Sequence, residues 1–197
     1  MQIWGFSDIG QTVQVSINGI TVLDGATIRG DFRLTLPAQS AAESCVIRLD
    51  GAADQAELSD VDIGEVWIAG GQSNMEFLLR YDAEGPEQIA AAFDPHCRFY
   101  DVGEYAFAGE EADGFKDARG WDRWMALDRQ NAEYFSAVGY YFARQLRKKH
   151  QVPVAVVGCN WGGTTAAAWQ DVQFLKDDPD LMAYIREYEA GLKKINL

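Results

Sequence analysis

Two short apolar runs, at residues 66–69 and 152–157, each end in a glycine-rich loop, and a stretch with helical periodicity lies between them. Strand, helix and strand in that order argue for a parallel sheet, because a crossover joining parallel strands needs a dozen or more residues and packs back as a helix. The loops then leave the sheet on one edge, at the carboxyl ends of the strands, where open α/β sheets bind ligands.

The chain divides by pattern near residue 62. Ahead of it, Thr12-Val13-Gln14-Val15-Ser16-Ile17 alternates apolar and polar residues, Asn18-Gly19 suits a type I′ turn, and Ile20-Thr21-Val22-Leu23 begins the return. Asp24-Gly25 reads as another turn. Phe32-Arg33-Leu34-Thr35-Leu36 and Cys45-Val46-Ile47-Arg48-Leu49 read as further strands. Residues 1–62 are therefore expected to form a small β-sandwich domain. About 60 residues bury little core, so this unit leans on its neighbour.

Residues 63–197 read as an α/β domain. Residues 65–69 form a buried strand, residues 86–93 a helix with Pro86 in its first turn, and residues 98–102 a second strand. Residues 103–130 read as a long loop. Asn131 is placed to cap a helix reaching Lys149, with Phe135, Val138, Phe142 and Leu146 as its apolar stripe. Residues 152–157 supply a third strand, residues 165–169 begin a helix, and residues 181–194 suggest another. Three parallel strands are few for a doubly wound sheet, and the chain ends inside a helical pattern. The expectation is the front part of a larger protein.

Charge and cysteine content exclude several functions. A net charge of −13 argues against a nucleic-acid partner, since binding DNA or RNA draws on cations that displace counterions from phosphates. Arg144, Arg147, Lys148 and Lys149 cluster where cations complement the end of a helix. Cys45, Cys97 and Cys159 are widely spaced, so no zinc or redox motif is present and free buried thiols are expected. No apolar run is long enough to span a membrane and no signal peptide is visible. The acidic residues Glu110, Glu111 and Asp113 read as a solvated face and not as a metal site, and no metal or organic cofactor is implied.

Two stretches carry chemistry. In Gly70-Gly71-Gln72-Ser73-Asn74-Met75 a serine sits just past the carboxyl end of a strand, and the glycines let the backbone turn and leave room for a substrate. A serine hydroxyl becomes a nucleophile when a neighbouring base takes its proton, and nearby N–H groups stabilise the oxyanion of acyl transfer. The local pattern also describes a turn residue or helix cap. It departs from the Gly-x-Ser-x-Gly elbow, because Met75 stands where the second glycine would be. The second stretch, Asn160-Trp161-Gly162-Gly163-Thr164, also follows a strand and exposes backbone N–H groups near a helix start. In a parallel sheet the two loops should meet on one edge.

Together with Asn131 to Phe142 and the run from Val152 to Trp169, these stretches resemble the SGNH-type carbohydrate esterases, in particular the sialate O-acetylesterase family. The resemblance implies an α/β fold with an SGNH or flavodoxin-like parallel sheet, incomplete in this chain and preceded by the β-sandwich. It implies removal of O-acetyl groups from sialic acid or a related glycan through an acyl-serine intermediate, with Ser73 as nucleophile. Its own N–H and that of Gly163 or Gly162 would form the oxyanion hole, Gly163 being the first choice. Gln72, Asn74, Asn160, Trp161, Thr164 and Trp169 would shape or brace the substrate pocket; Trp161 and Trp169 also suit core packing.

The family places a Gln-Gly-Glu and an Asp-x-x-His segment further along, and neither occurs here. The second would supply the base and its orienting carboxylate. His96, at a strand entry, reads as a surface turn residue on the wrong edge, and His150 as the end of the basic helix. The base is therefore expected from a further carboxyl-terminal portion or from a second chain. Alternatives are a non-catalytic glycan-binding fragment, a structural portion docked on another chain, and an acetyl xylan esterase of the same superfamily.

Overall fold

Asn18 and Gly19 both take left-handed backbone conformations, φ 50° and 78°, and so turn β1 (Gln2–Ile17) back into β2 (Ile20–Thr35). The computed structural model describes residues 1–104 and 123–194. β3 (Ala42–Gly51) pairs with β1, and β4 (Gln55–Ile63) with β3, giving one antiparallel sheet in the order β2-β1-β3-β4.

The two-sheet sandwich expected here is, in its hydrogen bonding, this single four-stranded sheet. The reason lies at Asp24-Gly25, which is a bulge within β2 and not a turn. Val13 pairs with Ala26 and Val15 with Leu23, so one residue of β1 opposes two of β2, and Gly25 takes φ 74°. A second irregularity lies between Ser7 and Gln11. Bulges bend a strand without ending it. Ile3 and Leu34 from one end of the hairpin thus join Val15, Ile17, Cys45 and Ile47 in one apolar cluster.

At Gly64 the chain passes to a second sheet. A side chain there would run into the carbonyl of Pro153. β5 (Glu65–Gly71), β8 (Val154–Asn160) and β6 (Phe93–Asp101) are parallel, and β7 (Met125–Asp128) lies antiparallel on β6, in the order β5-β8-β6-β7. Neither β4 nor β7 was expected. β4 is polar and mostly exposed, and β7 has only four residues. The expected loop at 103–130 thus contains a strand, while Glu110, Glu111 and Asp113 lie outside the described residues. β5 is an edge strand and not a buried one: Val66 and Ile68 are 63% and 75% exposed.

Helices α1 (Ser73–Glu76), α2 (Gly85–Ala91), α3 (Ala137–His150), α4 (Val172–Asp177) and α5 (Met182–Lys194) complete the described elements with short 3-10 turns, one of them at Ala166–Trp169. α3 begins later than Asn131 suggests. Asn131 precedes a 3-10 turn at Ala132–Tyr134, and Ser136 is the cap, its Oγ accepting the Gly139 N–H at 3.2 Å. The apolar stripe is likewise displaced. Ala137, Tyr140 and Ala143 are buried, while Val138 and Phe142 are half exposed. Small residues let the helix approach the sheet: a Cβ on Gly139 would already lie 3.4 Å from Val156. Phe135 precedes the helix and stacks on Phe99 in the core, ring centroids 4.5 Å apart.

A polar seam joins the two sheets. Arg98 on β6 donates to Asp62 and Asp60 on β4, and Arg147 on α3 donates to Asp94 and Glu43. Arg147, in the basic cluster ending α3, therefore does more than complement the helix dipole.

Candidate active site

β5 and β8 run in register to their last residues, Gly71 opposite Asn160, so the loops that follow leave the sheet side by side. This adjacency follows from parallel pairing alone. After Gly71 the chain turns into α1, whose first residue is Ser73; the N–H groups of Met75 and Glu76 donate to the Gln72 carbonyl at 2.9 and 3.0 Å. After Asn160 it turns through Trp161, Gly162 and Gly163. Gly163 takes φ +81°, with open space where a Cβ would sit, so this position favours glycine.

Hydrogen bonds tie the two loops together. The Trp161 N–H donates to the Gly71 carbonyl at 3.2 Å. The Gln72 side-chain amide donates to the Thr164 carbonyl. Asn160 Nδ2 donates to the Ala69 carbonyl at 3.4 Å. Thr164 Oγ1 donates to the Trp161 carbonyl at 2.7 Å and accepts from Trp169 Nε1 at 2.9 Å. A Cβ built on Gly162 would lie 3.6 Å from Ser73 Oγ. The structure therefore brings Gln72, Ser73, Asn160, Trp161, Gly162, Thr164 and Trp169 into one cluster.

Their environments differ. Ser73, Gln72, Asn74 and Gly163 are exposed, Trp161 and Thr164 half-buried, and Trp169 is 44% exposed with its N–H engaged within the loop. Gln72 and Asn160 act as braces between the loops. Glu76, to which sequence reasoning gave no role, accepts the Gly162 N–H on its Oε2. Its position three residues after Ser73 was the available signal, since i and i+3 share a helix face.

The histidines stand elsewhere. His96 is not a surface turn residue: its side chain is 17% exposed, with Nδ1 3.0 Å from Asp62 Oδ1 and Nε2 3.5 Å from Glu43 Oε2. Cys97 beside it pairs with Val154, six residues before Asn160 on β8, which puts His96 about 20 Å along the strands from the Ser73 edge. His150 closes α3 shortly before β8 begins, again at the far edge. Among the described residues no three or more His, Cys, Asp or Glu side chains gather to hold a metal ion. No described helix is long and apolar enough to cross a membrane.

An exposed hydroxyl beside a glycine turn is suited to acyl transfer where backbone N–H groups meet the developing oxyanion. No family model matches the chain. It is 30% identical to the sialate O-acetylesterase of Rattus norvegicus and 27% identical to that of Homo sapiens, each over 88% of its own length. It spans 34% and 36% of those relatives, about a third of their length. Among solved structures it matches a carbohydrate acetylesterase from Xanthomonas citri, with a TM-score of 0.73 and 34% identity over 89% of this chain and 39% of that one.

Proposed function

The chain belongs to the sialate O-acetylesterase family, and on that premise we propose that it carries the nucleophile half of a carbohydrate O-acetylesterase site. Ser73 Oγ attacks the acetyl carbonyl while a base takes its proton. The tetrahedral oxyanion collapses, the sugar oxygen leaves and takes a proton, and acetyl-Ser73 remains. Water then attacks that ester, releasing acetate and restoring the hydroxyl. The Ser73 N–H and a glycine N–H of the Trp161-Gly162-Gly163 turn hold the oxyanion. Gln72, Asn160 and Thr164 brace the two loops. Asn74, Trp161 and Trp169 border the space a sugar would take.

The observation that supports this reading is the exposed Ser73 hydroxyl lying against Gly162 at the carboxyl edge of a parallel sheet. The base comes from polypeptide beyond these residues or from a second chain, because both histidines stand at the opposite edge. The sheet is the flavodoxin-like core of an SGNH hydrolase, lacking strands that such a segment would add. Sialic acid is the first candidate sugar and acetylated xylan the second. The distant histidines also favour one rival, a glycan-binding portion without turnover.

The test is acetate release by the full-length protein from O-acetylated sialic acid and from acetylated xylan. Ser73→Ala should remove all release from the better substrate. Undiminished turnover in that variant would end the nucleophile assignment. Saturable sugar binding with no acetate from either substrate would favour the rival.

A further inference from the structure

Ser73 and Glu76 are the first and last residues of α1, three positions apart and so on one face of it. Both reach the same glycine. Ser73 Oγ is 3.6 Å from where a Gly162 Cβ would stand, and Glu76 Oε2 accepts the Gly162 N–H. That Cβ would lie 2.5 Å from Glu76 Oε2, so the carboxylate fills the space that glycine leaves open. Glu76 is half-buried, and α1 is held to the end of β5 by the bonds to the Gln72 carbonyl.

An N–H already donating to a carboxylate is a poor donor to a second anion. Sharing it would bring two negative oxygens together in a partly dehydrated site, where their repulsion is strong. The next amide differs: Gly163 is exposed and has open space beside it.

We infer that Glu76 is a positioning residue. It engages the Gly162 amide, fixes the orientation of the Trp161–Gly162 peptide beside Ser73, and leaves the Gly163 and Ser73 amides as the oxyanion donors. The inference rests on Ser73 being the nucleophile, and it narrows the oxyanion hole from two candidate glycines to one. The bond is charge-assisted, and losing such a bond costs about tenfold or more in the equilibrium it supports.

Amide resonances of the ¹⁵N-labelled full-length protein test this directly. In Glu76→Ala the Gly162 N–H should shift upfield and exchange with deuterium about tenfold faster or more. Glu76→Gln, whose amide oxygen also accepts, should keep most of the protection. The remaining spectrum reports whether each variant is folded. A Gly162 amide indifferent to Glu76→Ala overturns the inference.

Reaction with a fluorophosphonate supplies the second arm. Ser73 Oγ bonds to phosphorus, fluoride leaves with the proton, and the tetrahedral adduct imitates the oxyanion. The Gly163 N–H should move downfield in the adduct while that of Gly162 stays. Glu76→Ala should slow the bond-forming step and leave probe binding unchanged, and Glu76→Gln should restore the rate. Movement of Gly162 in place of Gly163 overturns the donor assignment. An inert Ser73 alongside a Gly162 amide that answers to Glu76→Ala overturns the esterase reading and the donor assignment together.

Discussion

Arg98 Nε lies 2.8 Å from Asp62 Oδ2, and this contact clasps the mixed sheet to the last strand of the antiparallel one. Both side chains are largely withdrawn from water, 16% and 8% exposed. Arg98 also reaches Asp60 at 2.7 Å, and its guanidinium holds the Asp60 carboxyl below the usual carboxylate range. Removing the guanidinium takes a full positive charge from the mostly buried Asp62 carboxylate and leaves it to His96 Nδ1 and the Ser44 N–H. Arg98→Ala should therefore lower unfolding free energy by about 3 kcal/mol, measured by urea denaturation. A loss below about 0.5 kcal/mol would place the pair among solvent-screened surface bridges.

Val156 and Ile68 belong to neighbouring parallel strands yet differ sharply in exposure, 2% against 75%. Val156→Ala should cost about 2 kcal/mol through lost burial and the cavity left behind. Ile68→Thr in this 197-residue chain should change stability by no more than about 0.5 kcal/mol. Equal costs would mean that β8 is not the interior strand.

Ser136, 2% exposed, caps α3 and also stands 3.7 Å from Met75 Sδ beside the candidate nucleophile. Ser136→Ala should cost about 1 kcal/mol, Ser136→Thr less, and Ser136→Asp more, because the site would bury a carboxylate. Thermal unfolding of the three variants provides the comparison.

Burial pushes the Cys97 thiol up to about 12, with Asp94 adding to the shift and Arg147 opposing it. An unfolded cysteine ionises near 9. Between these values the folded state holds the proton that the unfolded state releases, so stability falls as pH rises. The thiol's contribution is fully present below about 9 and is lost progressively toward about 12. Urea midpoints should decline above pH 9, and Cys97→Ala should flatten part of that decline. A thiol-specific disulfide reagent should modify the partly exposed Cys159 well before the buried Cys97.

Much of the fold was legible because local chemistry and final structure agree. Asn18-Gly19 makes its turn in any context, since few residue pairs accept two positive φ angles. Alternation through residues 12–17 gives a strand with Val13, Val15 and Ile17 buried. The Asp24-Gly25 reading failed because the same left-handed glycine serves a turn and a bulge. Only the pairing partner separates them. The helix stripe failed for a related reason: Ala137, Gly139 and Ala143 bury better than Phe142 where backbone must approach backbone.

At the candidate site, sequence alone determined that two glycine-rich loops follow strands and that one of them carries a serine. A parallel sheet puts both loops on one edge once both strands exist. Tertiary structure alone decided that β8 lies beside β5, that Glu76 turns onto Gly162, and that His96 is held by Asp62 and Glu43 in a polar seam. Those outcomes depend on strand order and on groups distant in the chain meeting in space. A pattern of adjacent residues records neither.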